Sequence, residues 1–215
     1  MKLKIILLTI LSLFVLEAGA QEQMIGFRHG ASLWLHQQGL GQGMIKYAQG
    51  QHYTWDKELF YRDVISDKWH FEASLSYFNF KNTFADRRNT VTHEQNDILK
   101  TKFSLQYDVT YPLLGYMFPF MQGMKSYIGF NTSHLVSFNK YDATMADGSQ
   151  SHKKDINVMV MLGFSYTHII PISKKLNVTS ELGFYTNTFS VRGYTPGYTR
   201  PNKSISWLGG FAYNL

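Results

Sequence analysis

The chain of 215 residues has no cysteine, which excludes thiol nucleophiles, cysteine-based metal sites and disulfides. A domain of this length can bury enough surface to fold without disulfides. Basic residues outnumber acidic ones, 21 to 15, but they are scattered, whereas a nucleic-acid surface needs a clustered basic stripe. After residue 20 the sequence has no run of about 18 apolar residues, so it predicts no membrane-spanning helix there.

Residues 1–20 have the pattern of a secretory signal peptide. Two lysines precede a nearly continuous apolar stretch at 5–16, and the small residues Ala18-Gly19-Ala20 follow it. We expect cleavage after Ala20, which leaves 21–215 as one exported domain. The alternative, an uncleaved membrane anchor, is disfavoured because the apolar stretch is short for a bilayer span.

The chain does contain many aromatic residues, 14 Tyr and 16 Phe, and a repeated alternation of apolar and polar residues. Along 101–111, Thr, Phe, Leu, Tyr, Val and Tyr take every second position, and polar residues lie between them. The same alternation recurs along 156–167, 176–187 and 205–215. A helix repeats every 3.6 residues, so a period of two predicts strands and an all-β fold.

The alternation predicts eight strands. They cover 24–36, 55–65, 69–80, 98–117, 125–138, 155–169, 175–189 and 204–215. The second strand is ambiguous because Arg62 or Asp63 breaks its pattern. The stretch 44–53 either extends that strand or forms an extra hairpin, which leaves ten strands open as an alternative.

The connections between these strands alternate in length. Short connections at 66–68, 118–124 and 171–174 alternate with long polar ones at 37–54, 81–97, 139–154 and 190–203. Short turns at one end and long loops at the other are typical of outer-membrane barrels.

Three features indicate that the apolar faces point outward. The opposite faces carry many small residues, which suit a narrow lumen. The alternation continues through Leu215, and aromatic residues lie near strand ends, as in interfacial girdles. The predicted girdle residues are Trp69, Tyr111, Tyr166, Trp207 and Tyr213. The sequence therefore predicts an antiparallel up-and-down transmembrane β-barrel.

Two segments carry a family resemblance. Leu105-Gln106-Tyr107-Asp108-Val109-Thr110-Tyr111-Pro112-Leu113-Leu114-Gly115-Tyr116 and Lys125-Ser126-Tyr127-Ile128-Gly129 resemble motifs of the porin-like outer-membrane β-barrel domain family common in Bacteroidetes. The end of the chain is similar to the aromatic strand that the barrel-assembly machinery reads, with Leu215 where Phe is usual. The resemblance implies an eight-stranded barrel of the OmpA/OmpX type in a Gram-negative outer membrane, and it implies no reaction.

Charged residues on the polar faces would line the lumen. Unpaired charges in such an interior cost several kcal/mol each, so we predict an ion-pair network. Its members are Arg28, Glu72, Lys100, Lys102, Asp108 and Glu181. His70 and Gln106 share this face, and Arg62 joins if its strand is phased that way. Glu72 would pair with Lys100 or Lys102, and Arg28 would reach Glu72 or Asp108. The alternative is an ion path, as in a small pore or transporter.

No residue pattern indicates catalysis, a metal or a cofactor. Ser133 and His134 are adjacent, and neighbours on a strand point to opposite faces. The His-x-Ser-Asn pattern of lipid A deacylases is absent, so a lipid A-modifying enzyme is only the enzymatic alternative. The histidines at 36, 52, 93 and 152 lack ligand spacing.

The loops would provide the specific surface. Their cations could contact lipopolysaccharide phosphates. The candidates are Lys153, Lys154, Arg192, Arg200 and Lys203. We expect a monomer with a structural or surface-interaction role. A soluble lipocalin-like carrier is a further alternative, but Gly30 and Trp34 lie four apart, unlike that family's Gly-x-Trp.

Overall fold

A computed structural model describes residues 23–37, 47–50, 53–85, 90–111, 116–117, 122–191 and 200–215. The predicted signal peptide at 1–20 and its cleavage site lie outside these ranges. Among the described residues, no helix has both the length and the apolar character that a membrane crossing requires.

The described chain consists almost entirely of antiparallel strands. They are β1 Met24–Gln37, β2 Tyr47–Gly50, β3 Tyr53–Val64, β4 Trp69–Ala85, β5 Val91–Asp108, β6 Lys125–Thr144, β7 Gln150–Pro171, β8 Leu176–Val191 and β9 Arg200–Asn214. Strands β3 to β9 pair with their sequence neighbours, and β1 pairs with both β3 and β9. The sheet is therefore a closed eight-stranded up-and-down barrel, which confirms the fold class predicted from the sequence.

The short strand β2 does not add a ninth strand to the ring. It pairs with β4, the same strand that β3 pairs with, through register partners such as Gly50 and Asn82. Of the two alternatives for the stretch 44–53, the described part thus extends β3 rather than forming an extra hairpin.

The strands are staggered, and the stagger sets their tilt. Register partners followed once around the ring return to β1 at Trp34, ten residues beyond the starting point at Met24. The partners on the way are Arg62, Glu72, Ser104, Asn131, Gly163, Tyr185 and Ser204. For eight strands this stagger gives a tilt of about 40° to the barrel axis, within the usual range. The lumen of such a barrel has room for side chains and little else.

The two ends of the barrel differ. One end, which we call the near end, carries tight turns at 65–68 and 172–175. These turns are closed by backbone hydrogen bonds, such as Ile65 N to Trp69 O at 2.8 Å. At the opposite end, which we call the far end, β6 and β7 are joined by a turn in which Gly148 has a φ of +81°. Ser149 donates from its Oγ and its N to the Asp147 carboxylate, which holds the pKa of that group below its ordinary value.

Several predicted boundaries were wrong. The connections predicted at 81–97 and 139–154 are mostly strand, because β4 to β7 continue well beyond the apolar part of the barrel. There neither face has to be apolar, so the alternation disappears from the sequence. The strand predicted at 98–117 ends instead at Asp108, whose Oδ1 accepts a hydrogen bond from Thr110 N at 2.8 Å.

The faces of the barrel are inverted relative to a soluble protein. Large apolar side chains point outward, and Trp55, Phe164 and Trp207 are 69%, 61% and 69% exposed. Charged side chains such as Arg28 and Glu58 point inward and are 0% exposed. Folding therefore buries the polar face, which is favourable only if its groups pair with each other.

Two adjacent glycines of β9 provide a test of this packing. A β-carbon on Gly210 would lie 2.7 Å from the Arg28 Cα, whereas one on Gly209 would have nothing within 4 Å. We expect Gly210→Ala to lower the free energy of unfolding by about 1–3 kcal/mol through overpacking. Gly209→Ala is the matched control and should leave stability unchanged or slightly raised. Urea unfolding in detergent micelles measures both, and equal effects would contradict the described packing.

Candidate functional site

Five charged side chains from five strands meet in the middle of the lumen. We call this group the lumen cluster: Arg28 of β1, Glu58 of β3, Glu72 of β4, Lys102 of β5 and Glu181 of β8. Each of these side chains is at most 1% exposed. They meet because inward positions alternate along every strand and the register brings these five to similar depths.

Arg28 contacts all three carboxylates of the lumen cluster. Its Nε lies 3.2 Å from Glu58 Oε1, and its Nη2 donates to Glu72 Oε1 at 2.5 Å. Its Nη1 donates to Glu181 Oε2. The planar guanidinium presents donors in several directions, so a single arginine can hold three carboxylates.

Lys102 contacts the same three carboxylates from the opposite wall. Its Nζ donates to both oxygens of Glu181, at 2.6 and 2.7 Å. It also lies 3.2 Å from Glu72 Oε1 and 3.6 Å from Glu58 Oε1. Every carboxylate of the lumen cluster therefore faces two cations, and no single pair accounts for the arrangement.

Neutral groups complete the surroundings of the lumen cluster. Ser74 and Ser76 donate to Glu58 Oε2 at 2.9 and 3.0 Å. The Arg28 guanidinium carbon lies 3.9 Å from the centre of the Phe60 ring. Hydrogen bonds and a cation–π contact thus offset part of the cost of removing these charges from water.

Two further charges lie towards the far end. The Asp56 carboxylate accepts hydrogen bonds from Ser32 and Thr54, each at 2.7 Å. The Lys100 Nζ lies 4.0 Å from the centre of the Tyr185 ring. Both charged side chains are buried in the lumen.

One further cation lies towards the near end. The Arg62 guanidinium carbon stacks 3.6 Å above the Tyr127 ring, and Arg62 is the register partner of Glu72. Within the described part of the chain, its three side-chain nitrogens have no hydrogen-bond partner.

The buried charges of the described lumen balance. Four cations face four anions, so the interior is electroneutral when every group is ionised. The cations are Arg28, Arg62, Lys100 and Lys102, and the anions are Asp56, Glu58, Glu72 and Glu181.

Buried apolar residues form a layer on each side of the lumen cluster. The far layer consists of Trp34, Phe78, Ile98, Leu135, Met159, Met161 and Tyr185. The near layer consists of Met24, Phe60, Tyr127, Ile169 and Ala212. An ion that crossed the barrel would have to pass both layers as well as the charges between them.

The structure brings together part of the predicted network. Arg28, Glu72, Lys102 and Glu181 meet in the lumen cluster. Lys100 lies one layer farther, against Tyr185, and Asp108 bonds Thr110 N near the end of its strand.

The sequence did not predict two anions of β3, and one cation of that strand was predicted only conditionally. Asp56 and Glu58 were not predicted, and Arg62 depended on the phase of the strand, which is indeed inward. The sequence signal for the phase of β3 was the pair of aromatic residues at 53 and 55, which point outward. It was obscured because Lys57 and Asp63 lie on that same outward face.

The predicted girdle aromatics mostly lie at one end. Trp69, Tyr111 and Tyr213 are exposed at the near end, and Tyr166 is half-buried nearby. Trp207 instead lies outward in the middle of β9, and its Nε1 donates to Ser180 Oγ at 3.3 Å.

The predicted surface cations lie on different faces. Lys154 points outward and is the register partner of Lys140, whereas Lys153 is opposite the buried Tyr141 and lies on the other face. Lys203 is exposed on β9. Arg192 and the side chain of Arg200 lie outside the described residues.

The described serine–histidine pairs do not form a catalytic site. Ser133 is buried in the lumen and His134 is exposed on the outside, as adjacent strand positions require. Ser126 Oγ lies 3.0 Å from His168 Nδ1, but Ser126 is 1% exposed and so is closed to a lipid ester.

The carboxylates of the lumen cluster are close enough to share a metal ion. Glu58, Glu72 and Glu181 each offer an oxygen within 4.8 Å of the others. Arg28 and Lys102 already lie among these oxygens, so two positive charges of the chain itself stand where a metal ion would bind.

Removal of one carboxylate tests the lumen cluster. Glu72→Ala removes a carboxylate that Arg28 and Lys102 both contact, and it leaves four buried cations facing three anions. We expect a loss of about 3–5 kcal/mol in the free energy of unfolding. The control Ser76→Ala should cost far less, since Ser74 still donates to Glu58. The temperature at which the folded form disappears on an unheated gel reports both variants. Unchanged melting of Glu72→Ala would refute a stabilising role for the cluster.

No protein-family model and no curated protein matches this chain. Among solved structures, a major outer membrane protein from Thermus thermophilus aligns with a TM-score of 0.52 and 12% identity, over 89% of this chain and 99% of that one. Neisserial surface protein A aligns at 0.46 and 13%, over 93% and 100%. Ail of Yersinia pestis aligns at 0.46 and 9%, over 91% and 100%. By the first of these likenesses, the chain has the fold of a known outer-membrane β-barrel.

Proposed function

We propose that the protein is a non-enzymatic β-barrel of the Gram-negative outer membrane, with a structural or surface-interaction role and a lumen closed by its own side chains. The observation that carries this proposal is the inverted barrel, apolar outside and charged inside. Such a surface is stable in hydrocarbon, whereas in water it would expose a continuous apolar belt.

The height of the apolar belt fits a bilayer. On β1 the outward series from Ile25 to Leu33 spans eight residues, which is about 20 Å along the tilted barrel axis. Outer-membrane barrels carry an apolar band of roughly 25 Å. On β6 and β7 the belt continues to the paired residues Phe138 and Ile156.

A sealed lumen argues against the alternative of a small pore. The lumen cluster is ion-paired throughout, and apolar layers cover it on both sides. Ions entering from either end would lose their hydration before they reached a charged group. The proposal is therefore a barrel that offers its outer surface, rather than its interior, to other molecules.

The closed lumen predicts silence in planar bilayers. Purified protein that shows the heat-dependent gel shift of a folded barrel should insert without discrete current steps at any applied voltage. Regular current steps from folded wild-type protein would contradict the sealed lumen. Full solubility of the folded protein in buffer without detergent would instead reject the membrane location.

The outward lysines of the far end fit phosphate groups of lipopolysaccharide. Lys140 and Lys154 are register partners one outward step beyond Phe138 and Ile156, so they lie just above the apolar belt. Like charges directly opposite each other are unfavourable unless an anion lies between them. We assign this contact to the lipid itself, so it requires no second copy of the barrel.

A pair of substitutions tests this contact. Wild-type barrel should melt at a higher temperature in vesicles that contain lipopolysaccharide than in vesicles of phospholipid alone. The double variant Lys140→Gln and Lys154→Gln should lose most of that difference, because the anion loses its partners. Lys153→Gln, on the opposite face, is the control and should keep it. A difference in melting temperature that persists in the double variant would show that these lysines do not make the contact.

A further inference from the structure

The apolar belt has a basic interruption on β1 and β3. Lys57 points outward and is exposed, and its register partner on β1 is His29, which is also outward and exposed. Trp55 and Leu59 flank Lys57 along its strand and are 69% and 58% exposed. A basic pair thus stands inside a surface that otherwise suits hydrocarbon.

The pair lies at the middle depth of the belt. His29 is the central residue of the outward series on β1, four residues from Ile25 and four from Leu33. With a rise of about 3.3 Å per residue and a tilt of about 40°, it lies roughly 10 Å from either edge. Lys57 lies at nearly the same depth, since register partners on neighbouring strands differ little in height.

No described carboxylate neutralises this pair. The residues beside Lys57 are His29 on β1 and Tyr77 on β4, while Asp56 and Glu58 point into the lumen. The Tyr77 hydroxyl donates to Asp97 at 3.1 Å, nearer the far edge of the belt.

The His29 side chain cannot leave the hydrocarbon by extending to the membrane edge. A lysine can extend its stem towards the interface, but a histidine side chain is too short to do so. The Nδ1 of His29 donates to the Asp56 carbonyl oxygen at 2.8 Å, and its ring stacks 5.5 Å from Trp55. The imidazole is therefore held at mid-depth by its Nδ1 and by its contact with Trp55. Ionisable groups in such positions are costly and generally serve a function.

A notch in the surface lies next to this pair. The register partner of His29 on β9 is Gly209, where an added β-carbon would meet nothing within 4 Å. Along β9 the notch is bounded by Trp207 and Phe211, which are 69% and 57% exposed. Large aromatic walls around a gap provide a shape that a neighbouring side chain can enter.

We propose that Lys57, His29 and the notch at Gly209 form a docking site for a second membrane-spanning protein that presents a carboxylate at mid-depth. The inference rests on the proposed membrane location. Charge complementarity selects the partner, because two basic groups in hydrocarbon need an acidic one. A second copy of this chain fits poorly. A twofold axis along the membrane normal pairs residues of equal depth, and the described outward surface has no carboxylate at that depth.

A defined probe tests the proposal. Folded barrel is reconstituted in phospholipid vesicles with one of two leucine–alanine peptides of about 20 residues, one with a central Glu and one with a central Gln. Energy transfer from barrel tryptophans to a dye on the peptide measures association. We expect the Glu peptide to associate roughly five- to thirtyfold more tightly than the Gln peptide. Carbodiimide should then join its carboxylate to Lys57.

Matched variants separate the possible outcomes. Lys57→Met should abolish the preference for the Glu peptide, and Lys203→Met, which removes another exposed lysine, should keep it. Equal association of both peptides would overturn the proposal in favour of lipid contact alone. Crosslinked barrels without peptide would overturn it in favour of a second copy. The heat-dependent gel shift of each variant shows whether the barrel is still folded, and its recovery with the vesicles shows whether it is in the membrane. Failure of the docking site is therefore distinguishable from failure of the membrane location.

Discussion

Neutralisation of charge inside a closed ring is the constraint on which this barrel depends. When the apolar faces turn outward, the polar faces are buried, and buried charge is tolerable only when it is paired. The described lumen holds four cations and four anions, and the five charges of the lumen cluster are paired directly. Arg28 and Lys102 each contact the same three carboxylates, so neutrality is a property of the group rather than of isolated pairs.

The position of the lumen cluster between two apolar layers links stability to function. The apolar layers keep water away, which strengthens each ion pair and also raises the cost of losing a partner. In the proposed closed lumen, the same layers leave no path for solutes. What remains available for recognition is the outside, where the belt of β1 and β3 and the lysines of β6 and β7 carry the unusual features.

Some parts of this structure could be predicted from the sequence and others could not, for physical reasons. The barrel was predictable because bilayer and lumen impose opposite polarity on alternate residues, as along 101–111. The strand ends at the far end were not predictable, because residues such as those around Thr144 meet solvent on both faces. Glu58 was missed for a related reason. The outward Lys57 beside it makes both faces of β3 look polar, and only the ring of partner strands shows which face is inside.

The contacts of the lumen cluster also explain why the closed ring is preferred to an open sheet. Arg28 and Glu181 are 153 residues apart, on strands separated by β9, and Lys102 reaches Glu181 across the lumen. In a flat sheet these side chains would lie far apart on one face, with their charges unpaired. Pairing between β1 and β9 brings the opposite walls together and neutralises them at the same step. The lumen cluster therefore stabilises closure specifically, since its cross-lumen contacts exist only in the complete barrel.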